Sequence, residues 1–178
     1  YHDSNADGQR QENEPAYAGA LVEIIGAKKV LASAKSDSQG KAIIPRVRHG
    51  EVTLRVTLGD GQVFSVPGDE SGNAFYSPTA SSALSIQRSL AAGEQLSVLA
   101  GATLPGAISG ALFEDSNLSG SMDSDETWLS GFKVEAVNEH GEAVAQAVTD
   151  SQGIYLLENL VPGTYRVRIY LESPYVFS

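Results

Sequence analysis

One acidic loop is written twice in this chain, 112 positions apart, and each copy opens a similar stretch of sequence. The first copy is Asp3-Ser-Asn5-Ala-Asp7-Gly8, then five residues and Glu14. The second is Asp115-Ser-Asn117-Leu-Ser119-Gly120, then five residues and Glu126. Oxygen side chains at positions one, three and five, Gly at six and Glu at twelve form the spacing at which a chain can curl around a hard cation. A loop recurring at a fixed distance marks a tandem array of like units. It also makes calcium the expected cation.

The similarity continues past the loops. Ala18-Gly19-Ala-Leu21-Val22-Glu23-Ile24 corresponds to Ser130-Gly131-Phe132-Lys-Val134-Glu135-Ala136. One residue further out of step, Ser36-Asp37-Ser38-Gln39-Gly40 corresponds to Thr149-Asp150-Ser151-Gln152-Gly153. His49-Gly50 to Leu58 then matches Pro162-Gly163 to Leu171, and Val63-Phe64-Ser65 matches Val176-Phe177-Ser178.

Both copies read as β. Val52, Leu54, Val56 and Leu58 alternate with polar residues, as do Tyr165, Val167, Ile169 and Leu171, and period two over that length is a half-buried strand. Gly40, Gly50, Gly61, Gly141, Gly153 and Gly163 punctuate the strands, and Asp60-Gly61 between two apolar runs signals a short hairpin. No window carries a convincing helical period. Leu84 and Ile86, then Leu96 and Val98, read as two more strands around an Ala-Ala-Gly-Glu turn. The expected organisation is a first domain over 1–100, a linker over 101–106 and a second domain over 107–178. By the alignment Tyr1 corresponds to Phe113, so the first domain is expected to lack its opening strand, and the second its last strands. The chain reads as a two-domain piece of a longer protein.

The 178 residues suit one or two domains, and a net charge of −10 argues against nucleic acid, whose phosphates need clustered Lys and Arg. With no cysteine, thiolate metal sites, redox thiols and disulfide staples are excluded. A metal is one remaining staple for a small domain. No apolar run approaches the roughly 18 residues of a membrane span, so no membrane insertion is expected.

These motifs, in order and twice, resemble the B-type repeat domains of Gram-positive surface adhesins. The best match is to the serine-aspartate repeat (Sdr) B domains, relatives of the collagen-adhesin B-type (Cna-B) domains. The second copy carries Phe113, Asp115, Asn117, Gly120, Asp123, Glu126, Leu129-Ser-Gly131, Val134, Thr149-Asp150, Gly153-Ile-Tyr155 and Leu160-Val-Pro162-Gly163-Thr-Tyr165-Arg-Val167. The first is more worn, with His49 in place of Pro162. The resemblance implies an all-β fold of tandem immunoglobulin-like or transthyretin-like β-sandwiches. It also implies calcium in the acidic loops and a role as stalk or spacer. Ser119 departs from the acidic residue of the family pattern, so a weaker second site is expected unless Asp123 or Asp125 compensates. The Lys–Asn isopeptide cross-link of some Cna-B domains is not expected, because the stretch from Ile108 to Phe113 holds no lysine.

The expected ligands of the first loop are Asp3, Asn5, Asp7 and Glu14 with the Gln9 carbonyl. Those of the second are Asp115, Asn117, Ser119, the Ser121 carbonyl, Asp123 and Glu126. A solvated polar turn is the competing reading of each, since Asp, Asn and Gly are turn residues in any case. Helical calcium motifs share the spacing, but their flanks would be helices, and here they read as strands. Magnesium fits less well, because it demands tight octahedral geometry. Asp37 and Asp150 read as Asx turns, and Trp128 as packing its loop onto the core. No nucleophile elbow or working carboxylate pair appears, so no enzyme activity is expected.

The function expected is that of calcium-stabilised stalk repeats of an extracellular adhesin at a cell surface or cell wall, with neighbouring repeats as partners. Two alternatives stand beside it: a module binding a host protein or glycan, and an accessory domain of a secreted carbohydrate-active enzyme.

Overall fold

Period-two patterning, β-branched residues and glycine punctuation leave this chain little option but strands, and the computed structural model has no helix among its described residues. Those residues are 1–26, 29–59, 61–69, 72–77 and 79–177. The strands in chain order are β1 (Leu21–Ile25), β2 (Val30–Lys35), β3 (Gly50–Thr57), β4 (Val63–Phe64), β5 (Ala83–Leu90) and β6 (Ala102–Thr103), followed by β7 (Gly106–Ala111), β8 (Lys133–Val137), β9 (Ala143–Val148), β10 (Ile154–Leu160) and β11 (Arg166–Ile169). They divide between two compact units, Tyr1–Pro105 and Gly106–Ser178. The fold class is all-β and sandwich-like.

In the second unit, β8 is the centre of an antiparallel sheet β11-β8-β9, and β7 pairs with β10 in a second sheet. Val134 and Ala136 of β8 are fully buried, and so is Leu157 of β10, with Leu160 close behind. Ile108, Val144, Ala145, Ala147 and Ile169 pack around these four. The two layers thus meet through alternate residues, which is what period two requires of a sandwich.

The first unit repeats this plan and adds to it. Its sheet runs β2-β1-β3-β5, so β1, β2 and β3 stand where β8, β9 and β11 stand in the second unit. Val52, Leu54, Val56 and Leu58 are all buried, against Phe64, Phe75 and Ala102, with Leu84 and Ile86 alongside. The matching residues behave differently in the second unit, where Val167, the counterpart of Leu54, is 39% exposed. The stretch after β3 supplies the covering side chains, and the described residues of the second unit include no such stretch.

Three local expectations need correction. Leu96 and Val98 lie outside any strand, and only Leu99 makes an isolated bridge, to Asn73; β5 is the single long strand of that region. The anticipated hairpin at Asp60-Gly61 does not form between β3 and β4: Asp60 lies outside the described residues, and β4 pairs with β6, while β3 lies between β1 and β5. A turn signal specifies a reversal, but which strand accepts the next one depends on where the apolar faces are covered. The stretch expected as a linker contains β6 and the first residue of β7.

Candidate functional site

The two acidic loops are superimposable in their hydrogen bonding. In the first, Asp3 sits at the end of an extended segment beside β6, where Asp3 N donates to Ala102 O at 2.8 Å. Its carboxylate turns back over the loop. Asp3 Oδ1 accepts Asp7 N at 3.1 Å and Oδ2 accepts Gly8 N at 2.8 Å. Glu14 closes the loop from the other side, with Oε1 accepting Ser4 N at 2.8 Å and Oε2 accepting Gln11 N at 3.1 Å. In the second loop Asp115 accepts Ser119 N at 2.9 Å and Gly120 N at 3.0 Å. Glu126 accepts Ser116 N at 2.9 Å and Asp123 N at 3.1 Å.

The backbone follows the same path twice. Ala6 and Leu118 both take φ of 59°, and Gly8 and Gly120 take 78° and 76°. The left-handed conformation at position six is why Gly belongs there. Asn5 Oδ1 accepts Asp7 N and Asn117 Oδ1 accepts Ser119 N, each two residues on. The Gln9 N–H, and then the Gln11 side chain, hold the Asp7 carboxyl below the usual carboxylate range.

The loops differ in their surroundings. Asp3 and Glu14 are 1% and 4% exposed, whereas Asp115 and Glu126 are half-buried. The first loop is clamped from outside. Gly8 O accepts from Tyr1 Oη at 2.8 Å and from Asn73 N at 2.7 Å. The Gln9 amide, oriented to satisfy both groups, donates to Asp69 Oδ1 at 3.0 Å and accepts from Asp69 N at 2.7 Å. In the second loop Ser119 Oγ donates to Ser121 O at 3.0 Å and approaches Asp123 Oδ2 at 3.3 Å, while Asn117 Nδ2 donates to that same Oδ2 at 2.8 Å.

Every residue expected as a ligand therefore lies in one of two closed loops. Among the described residues, no three His, Cys, Asp or Glu side chains are grouped as they would be to hold a metal ion; the carboxylates are turned onto backbone N–H groups. The donor chemistry nonetheless fits calcium, since both loops offer hard oxygens and neither offers thiolate. The ion pairs between described residues at Glu23 and Glu135 do not reach the buried carboxylates Asp3 and Glu14, and among the described residues no Lys or Arg pairs with those two.

The secondary motifs fall into place. Asp37 Oδ1 accepts Gln39 N and Lys41 N, and Asp150 Oδ1 accepts Gln152 N and Ile154 N, so both form Asx turns. Trp128 bridges Phe113 and meets its ring edge-on at 6.2 Å, yet stays 40% exposed. The sequence reading missed Asn73, a buried hub that fastens the first loop. A lone polar residue between Gly and Ala carries no periodic signal that could have revealed it.

Residues 106–178 match the SdrD B-like domain. That stretch resembles a B-type repeat of that family. Across both units the chain is 26% identical over 94% of its length to serine-aspartate repeat-containing protein E of Staphylococcus aureus, and spans 14% of that protein. It is 24% identical over 98% of its length to serine-aspartate repeat-containing protein F of Staphylococcus epidermidis, of which it spans 10%. It is 28% identical over 97% of its length to colossin-A of Dictyostelium discoideum, of which it spans 2%. Among solved structures, the Bacillus anthracis TIE protein is similar at 18% identity over 91% of this chain and 27% of that one, with a TM-score of 0.33, too loose a likeness to argue from. The first unit stands outside the matched residues, and its kinship with the SdrD B-like repeat rests on the duplicated loop, strands and turns described above.

Proposed function

We propose that this chain is a pair of spacer repeats from an extracellular surface adhesin of the Sdr type, stabilised by calcium in its acidic loops and carrying no enzyme activity of its own. The carrying observation is the pair of carboxylates at Asp3 and Glu14, buried with no cationic side chain paired to them among the described residues. Backbone N–H groups satisfy these oxygens in part, and a divalent cation would supply the opposite charge that no side chain brings. Asp3, Asn5, Asp7, Glu14 and the Gln9 carbonyl would hold it in the first loop. Asp115, Asn117, Ser119, Asp123, Glu126 and the Ser121 carbonyl would hold it in the second. When bound, calcium neutralises carboxylates that otherwise repel, and binding to the folded state alone adds stability by mass action.

The spacer half of the proposal draws on the repetition. Two units built to one plan extend a chain without requiring a pocket, and their natural partners are neighbouring repeats. The likeness to Sdr proteins supports residence at a cell surface or wall. Calorimetric titration of calcium into chelator-stripped protein, with thermal melts in parallel, tests the calcium half. Saturable binding with a rise in Tm, reversed by chelator, is expected, worth about 2.7 kcal/mol when free calcium is about 100 times Kd. Absence of heat and of any Tm change would overturn it.

A further inference from the structure

The sheet of the first unit ends on two edge strands, β2 and β5, and they are finished differently. The pairing of β2 with β1 shifts register between Ile24 and Ile25, and β2 carries Lys35; bulges and edge lysines both discourage a further strand. β5 has neither. All 8 of its residues pair with β3 in unbroken register, from Gly50 with Leu90 to Thr57 with Ala83. It contains no Pro, no Gly and no charged residue except Arg88.

The direction of its free groups follows from the ladder. Leu58 N donates to Ser82 O at 2.7 Å, one step beyond the pair Thr57 with Ala83. Hydrogen-bonded pairs alternate along an antiparallel ladder, so Leu84, Ile86, Arg88 and Leu90 exchange bonds with β3. Ala83, Ser85, Gln87 and Ser89 therefore turn their N–H and C=O groups to the open side. Two side chains reach round to that side. The Ser81 hydroxyl accepts from Ala83 N at 3.3 Å and donates to Ala83 O at 2.9 Å. Arg88 Nη1 donates to Gln87 O at 2.8 Å. The main-chain N–H and C=O groups of Ser85 and Ser89 and the Gln87 N–H that face the open side have no backbone partner among the described residues.

Arg88 is out of pattern. Leu84, Ile86 and Leu90 share its face of β5 and pack on the core, and Arg88 itself stands opposite the buried Val52. The alternation asks for an apolar residue there, yet the residue is an exposed Arg whose guanidinium lies at the strand's edge. A charge on the core face of an edge strand makes strand addition costly, because the added strand would take it out of water and set it among apolar side chains.

We infer that β5 is a pairing edge for β5 of a second copy of this chain, held closed by Arg88. The occupant follows from the strand's own sequence, which complements itself when run antiparallel. A two-fold axis through Gln87 sets Gln87 opposite its own counterpart, Ser85 opposite Ser89 of the copy and Leu84 opposite Leu90 of the copy. Gln87, Ser85 and Ser89 are the residues whose main-chain groups face outward, so the new ladder finds donors and acceptors in step on both sides, as a closed two-fold contact requires. The single mismatch is Arg88, which falls opposite Ile86 on each side of the axis. One side chain per copy is thus the barrier. This inference rests on the β3–β5 ladder alone and is independent of calcium.

The test is the full chain carrying Arg88→Val, which restores the apolar pattern of that face. Sedimentation velocity across a concentration series reads the association. The native chain is expected to stay monomeric, and Arg88→Val to dimerise at least about tenfold more tightly. Arg88→Ala, which deletes the charge without adding bulk, should shift in the same direction. In the dimer the amides of Ser85, Gln87 and Ser89 should exchange at least about tenfold more slowly than in the native chain. Adding Gln87→Pro to Arg88→Val removes an outward N–H without touching the bonds to β3, and should return the protein to monomer. Protected β1 and β3 amides in every variant report that the first unit is folded. Arg88 variants that stay monomeric in that folded background overturn the inference, as does a dimer that survives Gln87→Pro. A native chain that already pairs through these amides overturns it too, since Arg88 would then not close the edge.

Discussion

Arg55 Nε donates to Glu23 Oε2 at 2.8 Å, directly across the pairing of β1 with β3. The second unit repeats the contact between Arg168 and Glu135, across β8 and β11. The duplication thus reaches individual side-chain atoms. Both Glu residues are almost fully buried and both Arg residues are half exposed, so each pair ties a sheet face together at its wet margin.

Around Glu135 the pairing is denser. Lys133 Nζ lies 2.7 Å from Oε1, and Tyr170 Oη donates to Oε2 at 3.0 Å. Lys133, then Arg168, holds the Glu135 carboxyl down at about 2, against an ordinary value of 4.5. A carboxylate whose folded pKa is depressed contributes stability above its unfolded value and loses it as pH falls through the folded one. The second unit is therefore expected to lose stability as pH drops from about 4.5 toward 2. Thermal melts of Glu135→Gln across that range should show a shallower fall than the native chain; parallel curves would refute the assignment.

Two glycines separate backbone strain from collision. Gly153 has φ of +68°, and a Cβ there would lie 2.2 Å from Leu112 O; Gly141 has φ of +81° with nothing within 4 Å. Gly141→Ala should cost about 1–2 kcal/mol, the left-handed penalty alone. Gly153→Ala adds overpacking against backbone and should cost roughly 2–4 kcal/mol. Urea unfolding of the two variants measures the gap, and equal costs would mean that the turn at Gly153 relaxes freely.

Asn73 is expected to be the most sensitive polar position of the first unit. Its Nδ2 donates to Ser65 O, Val66 O and Phe75 O, and its Oδ1 accepts Phe75 N and Gly101 N. Asn73→Ala strands several buried main-chain groups and should cost roughly 3 kcal/mol. Ser77→Ala, at a half-buried site whose hydroxyl meets the exposed Thr79 Oγ1, should stay within about 0.5 kcal/mol. Chemical denaturation distinguishes them.

The loops should respond unequally to loss of their closing glutamates. Glu14→Ala removes the acceptor of Ser4 N and Gln11 N in a buried setting, at a cost of roughly 1–3 kcal/mol without calcium. Glu126→Ala frees amides that reach solvent more readily, and should cost less than about 1 kcal/mol. With calcium added, each variant should forfeit the stabilisation of its own unit only. Melts in chelator and in calcium read both effects, and identical losses in chelator would show that burial does not distinguish the loops.

How much of this was legible in the residues follows from the range of each interaction. The duplication, the loop spacing, the Asx turns at Asp37 and Asp150 and the period-two burial of Val52 to Leu58 are set by near neighbours, so the order of residues reveals them. The mispaired hairpin at β4, the failed strand at Leu96 and Val98 and the hub at Asn73 all depend on groups brought from far along the chain. Val52-Thr-Leu54 and Tyr165-Arg-Val167 carry one pattern, yet Leu54 is 8% exposed and Val167 is 39%, because Phe64, Phe75 and Leu84 pack on the first core only.

By itself the sequence determined that two like β units exist, where each acidic loop lies and which residues line it, because turn chemistry and side-chain alternation are local properties of the backbone. Only the tertiary structure decided which loop is buried and which strand lies beside which. Burial and pairing are relations between distant segments, and a ladder hydrogen bond exists only when both of its strands are present.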